Sequence, residues 1–168
     1  MILAAAQPKP KRGDIDSNLI DHYRLIKIAG EKGANLIAFP ELSITGYERE
    51  NAAELAFTKD DSRIDHLKEL AVEYNIIIIA GAPIQTETEL FLGEFIIFPD
   101  QSVSIYTKQF LHEGEDEFFQ PSFDYNPTVT LENQKISFAI CADTDHPQHP
   151  ENASKKETSI YVASIFFT

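Results

Sequence analysis

Cysteine is nearly absent: Cys141 is the single thiol in 168 residues. One thiol cannot close an internal disulfide or build a cysteine-rich zinc site. Positive charge is also scarce, with 14 Lys and Arg against 27 Asp and Glu and a formal net charge of -13. A polyanion would be repelled by such a chain, which excludes nucleic acid as a general partner and counts against an anionic membrane surface. Long hydrophobic runs are missing too. No stretch reaches the ~18 consecutive apolar residues of a membrane span. The opening MILAAAQPKPKRGD places a short apolar run before its basic residues, the reverse of a secretory leader. These absences lead to the expectation of a cytoplasmic protein.

What is present suits a folded domain. Hydrophobic residues make up 43% of the chain, with 12 Phe and 6 Tyr, which excludes global disorder. Length alone points to one domain, and a chain of ~150 residues can bury roughly 68–70% of its unfolded surface.

Periodicity suggests an α/β layered fold. Ile2 to Ala6 reads as a short buried strand ended by Pro8 and Pro10. A helix follows, with Asp14, Asp16 and Ser17 as cap candidates and Ile15, Leu19, Tyr23 and Ile26 as its buried stripe. Gly30 and Gly33 signal its exit. Leu36 to Phe39 is a strand closed by Pro40. Asp60, Asp61 and Ser62 can cap a second helix carrying Ile64, Leu67, Leu70, Ala71 and Tyr74, and Ile76 to Pro83 is a strand buried on both faces. Two such units in succession argue for a layered domain. Later strands are expected at 95–98, 103–106, 135–140 and 159–167, with a weaker one at 128–131.

Three residues at predicted strand ends could carry chemistry. Cys141 follows KISFAI; a free cysteine is most often a small buried hydrophobe, whereas a nucleophile there needs a base and an oxyanion partner. Glu41 sits in FPELSITGY, as a turn residue or as a desolvated general base. Lys108 ends SVSIYTK, as a solvated surface group or as an inward cation stabilising a thiolate and oxyanion. Each taken alone has a bland explanation.

Taken together and in order, FPELSITGY, YTKQFLHEGEDEFFQP and FAICADTDHP resemble the Glu, Lys and Cys motifs of the nitrilase superfamily of carbon–nitrogen hydrolases. The opening AAAQPKPKRGDIDSN and the strand IIIIAGAP are also similar to that family, so the resemblance covers the whole chain. It implies a nitrilase-like α-β-β-α sandwich, of which residues 1–168 would be the N-terminal portion. It further implies a homo-oligomer in a full-length form, and a chain poorly soluble or inactive alone.

The family's catalytic positions fall on Glu41, Lys108 and Cys141, and its second glutamate on Glu115, which keeps the spacing to Phe119 and Pro121. The implied reaction is hydrolysis of a small-molecule amide, carbamoyl compound or nitrile through a Cys141 thioester, without cofactor or metal. Ala142 and Asp143 would serve the substrate and oxyanion. The chain departs from the family where a His becomes Phe110, an Arg becomes Asp145 and a Phe becomes His146, and where the usual Asn is missing from LFLGEF. Two rival readings stand beside this one. Asp143, Asp145, His146 and His149 are metal-ligand types close together and would suit a metal-dependent hydrolase. A non-catalytic α/β interaction module could have kept the fold.

Overall fold

A computed structural model describes residues 1–166 of the chain. Among the described residues, eight strands form two sheets, accompanied by four α-helices. The first sheet has five strands in the order β1 (Leu3–Ala5), β2 (Leu36–Ala38), β3 (Ile77–Gln85), β4 (Leu90–Ile97) and β5 (Val103–Thr107). Its first three strands are parallel; β4 and β5 are antiparallel to their neighbours. The second sheet joins β6 (Val129–Leu131), β7 (Gln134–Ile140) and β8 (Ile160–Ser164), with β7 and β8 parallel.

The parallel pairs are bridged by the expected helices. The carboxylate of Asp14 accepts from the Ser17 N–H at 3.1 Å and caps α1 (Ile15–Glu31). Leu19 and Ile26 face the core as expected, but Asn18 and His22 share that buried face. Short α2 (Ala52–Leu55) precedes a 3-10 turn at Ser62–Ile64 and α3 (Asp65–Tyr74). Asn75, left-handed at φ 48°, ends α3.

Alternation divides the apolar residues into two cores. Ile78, Ala80, Ala82 and Ile84 of β3 face α1 and α3, together with Phe95 and Ile97 of β4. On the other face, Ile77, Ile79, Leu92, Ile96 and Tyr106 meet Ile136, Phe138 and Ile140 of β7. The second core joins the two sheets face to face, giving an α/β sandwich of the kind the resemblance implies.

Two differences from the expected pattern have plain causes. Strand β4 begins at Leu90 rather than Phe95, because eight registered pairs with β3 carry Gly93 and Glu94, residues of low strand propensity. The polar stretch after Cys141 is not an open loop. It forms a 3-10 turn, Cys141–Asp145, and then α4, Gln148–Lys155. Pro147 and Pro150 fall at the cap and in the first turn of α4, where a missing N–H leaves no helical bond unmade. Phe167, expected in the last strand, lies outside the described residues.

Candidate active site

Chain geometry after β2 sets Glu41 in place. The Pro40–Leu42 backbone crosses directly over Gly81 of β3: a Cβ on Gly81 would stand 2.5 Å from the Leu42 nitrogen and 2.8 Å from the Pro40 oxygen. Leu42 turns through φ 49°. Behind it, the ring of His22 bridges Ser43 Oγ at 2.9 Å and the Asn18 carbonyl at 2.7 Å. Nδ1 must donate to that carbonyl, so Nε2 accepts from the Ser43 hydroxyl. Burial pushes the His22 pKa down to about 4, which keeps this brace neutral.

Lys108 ends β5 and is tied to the sheet by its N–H, which donates to Leu92 O at 2.9 Å. Its side chain is fully buried. Nζ lies 2.7 Å from Glu41 Oε1 and 2.8 Å from Glu115 Oε2. Tyr47 donates to Glu115 Oε1 at 2.7 Å, and the His112 N–H donates to Oε2 at 2.8 Å. Burial alone would depress the Lys108 pKa, but Glu41 and Glu115 outweigh it and hold the ammonium charged.

Cys141 is the first residue after β7, at φ 42°, in the left-handed region disfavoured for a residue with a Cβ. That turn sets the thiol near enough to the Glu41 carboxylate for each group to shift the other's proton affinity. Burial, reinforced by Glu41, pushes the Cys141 thiol up to about 11. Burial also raises the Glu41 pKa, against the opposing pull of Lys108. The resting arrangement is therefore a neutral thiol beside a desolvated carboxylate, with an ammonium on that carboxylate's other side. Such a set can remove the thiol proton as the sulfur attacks and can hold an anion formed next to it. Ala142 is the second residue of the 3-10 turn Cys141–Asp145, where the first N–H groups lack an acceptor within the turn itself.

The structure thus brings together Glu41, Lys108, Glu115 and Cys141 from four separate segments. Asp143 it places otherwise than the substrate-facing position implied by the resemblance. Asp143 Oδ1 accepts from the N–H groups of Gln109 and Phe110 at 3.0 and 2.9 Å. Its Oδ2 accepts from the Ile140 N–H at 2.9 Å and the Tyr106 hydroxyl at 2.6 Å. Fully buried and with both oxygens engaged, Asp143 braces the Cys141 turn against the end of the lysine strand.

The four residues of the metal-dependent reading do not converge, and no group of three or more metal-ligating side chains occurs among the described residues. His146 stacks on Phe110 with ring centroids 4.1 Å apart, Asp145 is exposed, and His149 bonds to two tyrosines. Phe110 and His146 are the positions where the chain exchanges the family's His and Phe, and the exchanged pair meets face to face.

Tyr47, Tyr106, His149 and Tyr161 were invisible as site-supporting residues, because nothing in their local sequence says which hydroxyl or ring nitrogen they meet. Glu94 is another. It points between the sheets beside Tyr106 and Gly81, fully buried, and neither carboxyl oxygen has a hydrogen-bond partner among the described residues. Burial pushes its pKa up to about 8 against the neighbouring Ser164 hydroxyl, and Asp143 and Glu41 push the same way.

The carbon-nitrogen hydrolase family matches over residues 2–166. Over 154 residues the chain is 29% identical to a glutamine-dependent NAD(+) synthetase of Aquifex aeolicus, covering 89% of this chain and 27% of that protein. Over 162 residues it is 26% identical to a nitrilase of Pyrococcus abyssi, covering 94% of this chain and 62% of that one. The chain therefore spans only part of the length of these relatives. Among solved structures, an amidase from Nesterenkonia sp. superposes with a TM-score of 0.86 at 20% identity, covering 97% of this chain and 64% of that one. That structure is of a mutant of the amidase, with the acetamide moiety of fluoroacetamide covalently added at the active-site cysteine. At this identity the superposition speaks for the fold, and the fold and the family match agree: the chain belongs to the carbon-nitrogen hydrolase family.

Proposed function

We propose that this chain carries the catalytic groups of a thiol hydrolase that cleaves a non-peptide carbon–nitrogen bond of a small molecule, with an amide as the preferred substrate class. The observation that carries this reading is the buried Glu41–Lys108–Glu115 ion triplet set against the Cys141 thiol. Burying three charges together is costly, and structural needs alone are met as well by apolar side chains. The superposing amidase favours an amide, while the relatives also include a nitrilase.

In the first step Glu41 takes the thiol proton while sulfur attacks the carbonyl carbon. The carbon–sulfur bond forms, and the carbonyl π pair moves to oxygen. An ammonium has three donors. Two of those on Lys108 point at Glu41 and Glu115, and the third is available to the oxyanion, beside the Ala142 N–H. Collapse restores the carbonyl and expels the amine, protonated by Glu41. Water then attacks the thioester, giving its proton to Glu41, and the acid departs as the sulfur takes that proton back. Glu115 orients Lys108 throughout.

Ammonia release from a panel of small primary amides and nitriles tests the proposal. Cys141→Ala should abolish release and keep the fold, and the wild type should carry an acyl adduct on Cys141 by mass spectrometry. Wild-type turnover in the alanine variant would sink the mechanism. A folded wild type that releases ammonia from none of the panel would favour the interaction-module reading.

A further inference from the structure

Four side chains beyond the ion triplet form one continuous chain of hydrogen bonds ending beneath Cys141. Tyr161 Oη lies 2.6 Å from His149 Nδ1, His149 Nε2 lies 2.8 Å from Tyr106 Oη, and Tyr106 Oη lies 2.6 Å from Asp143 Oδ2. The directions are forced. Asp143, held by three backbone N–H groups, only accepts, so the Tyr106 hydroxyl donates to it. Tyr106 oxygen then accepts from His149 Nε2–H. A neutral imidazole with a proton on Nε2 has none on Nδ1, which accepts from Tyr161. Burial depresses the His149 pKa, consistent with a neutral ring.

We infer that His149 and Tyr161 are positioning residues for the reaction proposed above: through Tyr106 and Asp143 they hold the strained Cys141 turn and the backbone just after Lys108 in one register. The four side chains come from β5, the turn after β7, α4 and β8, so the relay clamps both sheets together at the nucleophile. Asp143 is the junction. One oxygen takes the amides of Gln109 and Phe110, directly after Lys108, and the other takes the amide of Ile140, directly before Cys141. A loose Asp143 would free the thiol and the ammonium to move separately. A displacement of about 1 Å between reacting groups costs on the order of a hundredfold in rate.

The test compares His149→Leu, His149→Gln and Tyr161→Phe. Glutamine reproduces a donor near Nε2 and keeps an acceptor; leucine keeps bulk alone. In the leucine variant kcat and the rate of Cys141 alkylation by iodoacetamide should both fall roughly 10- to 100-fold, with KM changed much less, and glutamine should restore most of the loss. Nitrogen NMR of the wild type should show His149 protonated at Nε2 and bare at Nδ1. Tyr161→Phe should leave the Nε2 tautomer, which Tyr106 fixes, and speed hydrogen exchange at the Gln109 and Phe110 amides. A ring protonated at Nδ1, or a folded leucine variant with wild-type alkylation, overturns the inference. If the leucine variant does not fold, Tyr161→Phe decides alone, and unchanged amide exchange overturns the inference. If the wild type hydrolyses no amide, the proposed function fails, while tautomer and exchange still decide the relay.

Discussion

Replacing Glu94 by glutamine should remove most of an alkaline loss of stability that the wild-type protein carries. The carboxyl is fully buried, has no hydrogen-bond partner among the described residues, and has its pKa pushed up to about 8 by burial. In the unfolded chain it returns to 4.5. Below that value both states hold the proton and Glu94 is neutral to stability. Between the two values the unfolded chain releases a proton that the folded chain keeps, so stability falls as pH rises and levels off above the folded value. Integrating this linkage from about pH 5.5 to about pH 8 gives a loss of about 3 kcal/mol from this one group. Glutamine has nearly the same shape and no titration in that window. Urea unfolding of both proteins at the two pH values measures the difference, provided the denaturant slopes agree. The wild type should lose about 3 kcal/mol more than Glu94→Gln across the interval. Equal losses would show that Glu94 is solvated or paired, and would refute its burial as an orphan acid.

Three further outcomes follow from the site. Gly81→Ala should cut amide hydrolysis by roughly a hundredfold, because the new Cβ would displace the Glu41 backbone; wild-type turnover would mean that Glu41 is not held by that contact. Lys108→Met leaves two buried carboxylates facing each other and should destabilise the fold by about 3–5 kcal/mol in urea, as well as abolish turnover; an unchanged unfolding midpoint would contradict the buried triplet. The rate of hydrolysis should fall as pH drops through the raised pKa of Glu41, so the acid limb should lie above the ordinary carboxylate range, with the apparent values belonging to the Glu41–Cys141 pair. An acid limb at an ordinary carboxylate value would exclude Glu41 as the base.

Sequence by itself was enough for the layered architecture and for the positions at strand ends. The unbroken apolar run at 76–83 has no polar face and must be covered on both sides, and the FPE, YTK and AIC segments each end such a run with a reactive side chain. Those are local signals, carried by neighbours in the chain. Tertiary structure decided what each of those side chains faces. Residues 67 positions apart meet in the Lys108–Glu41 pair, and residues 43 apart in Tyr106–His149, and no local pattern encodes such partners. Asp143 shows the difference most clearly. Its place in the cysteine motif suggested a ligand for substrate, whereas its burial among three backbone N–H groups and a tyrosine hydroxyl makes it a brace. A carboxylate can accept at two oxygens wherever donors converge, and only the packing of one sheet on the other determines which donors arrive.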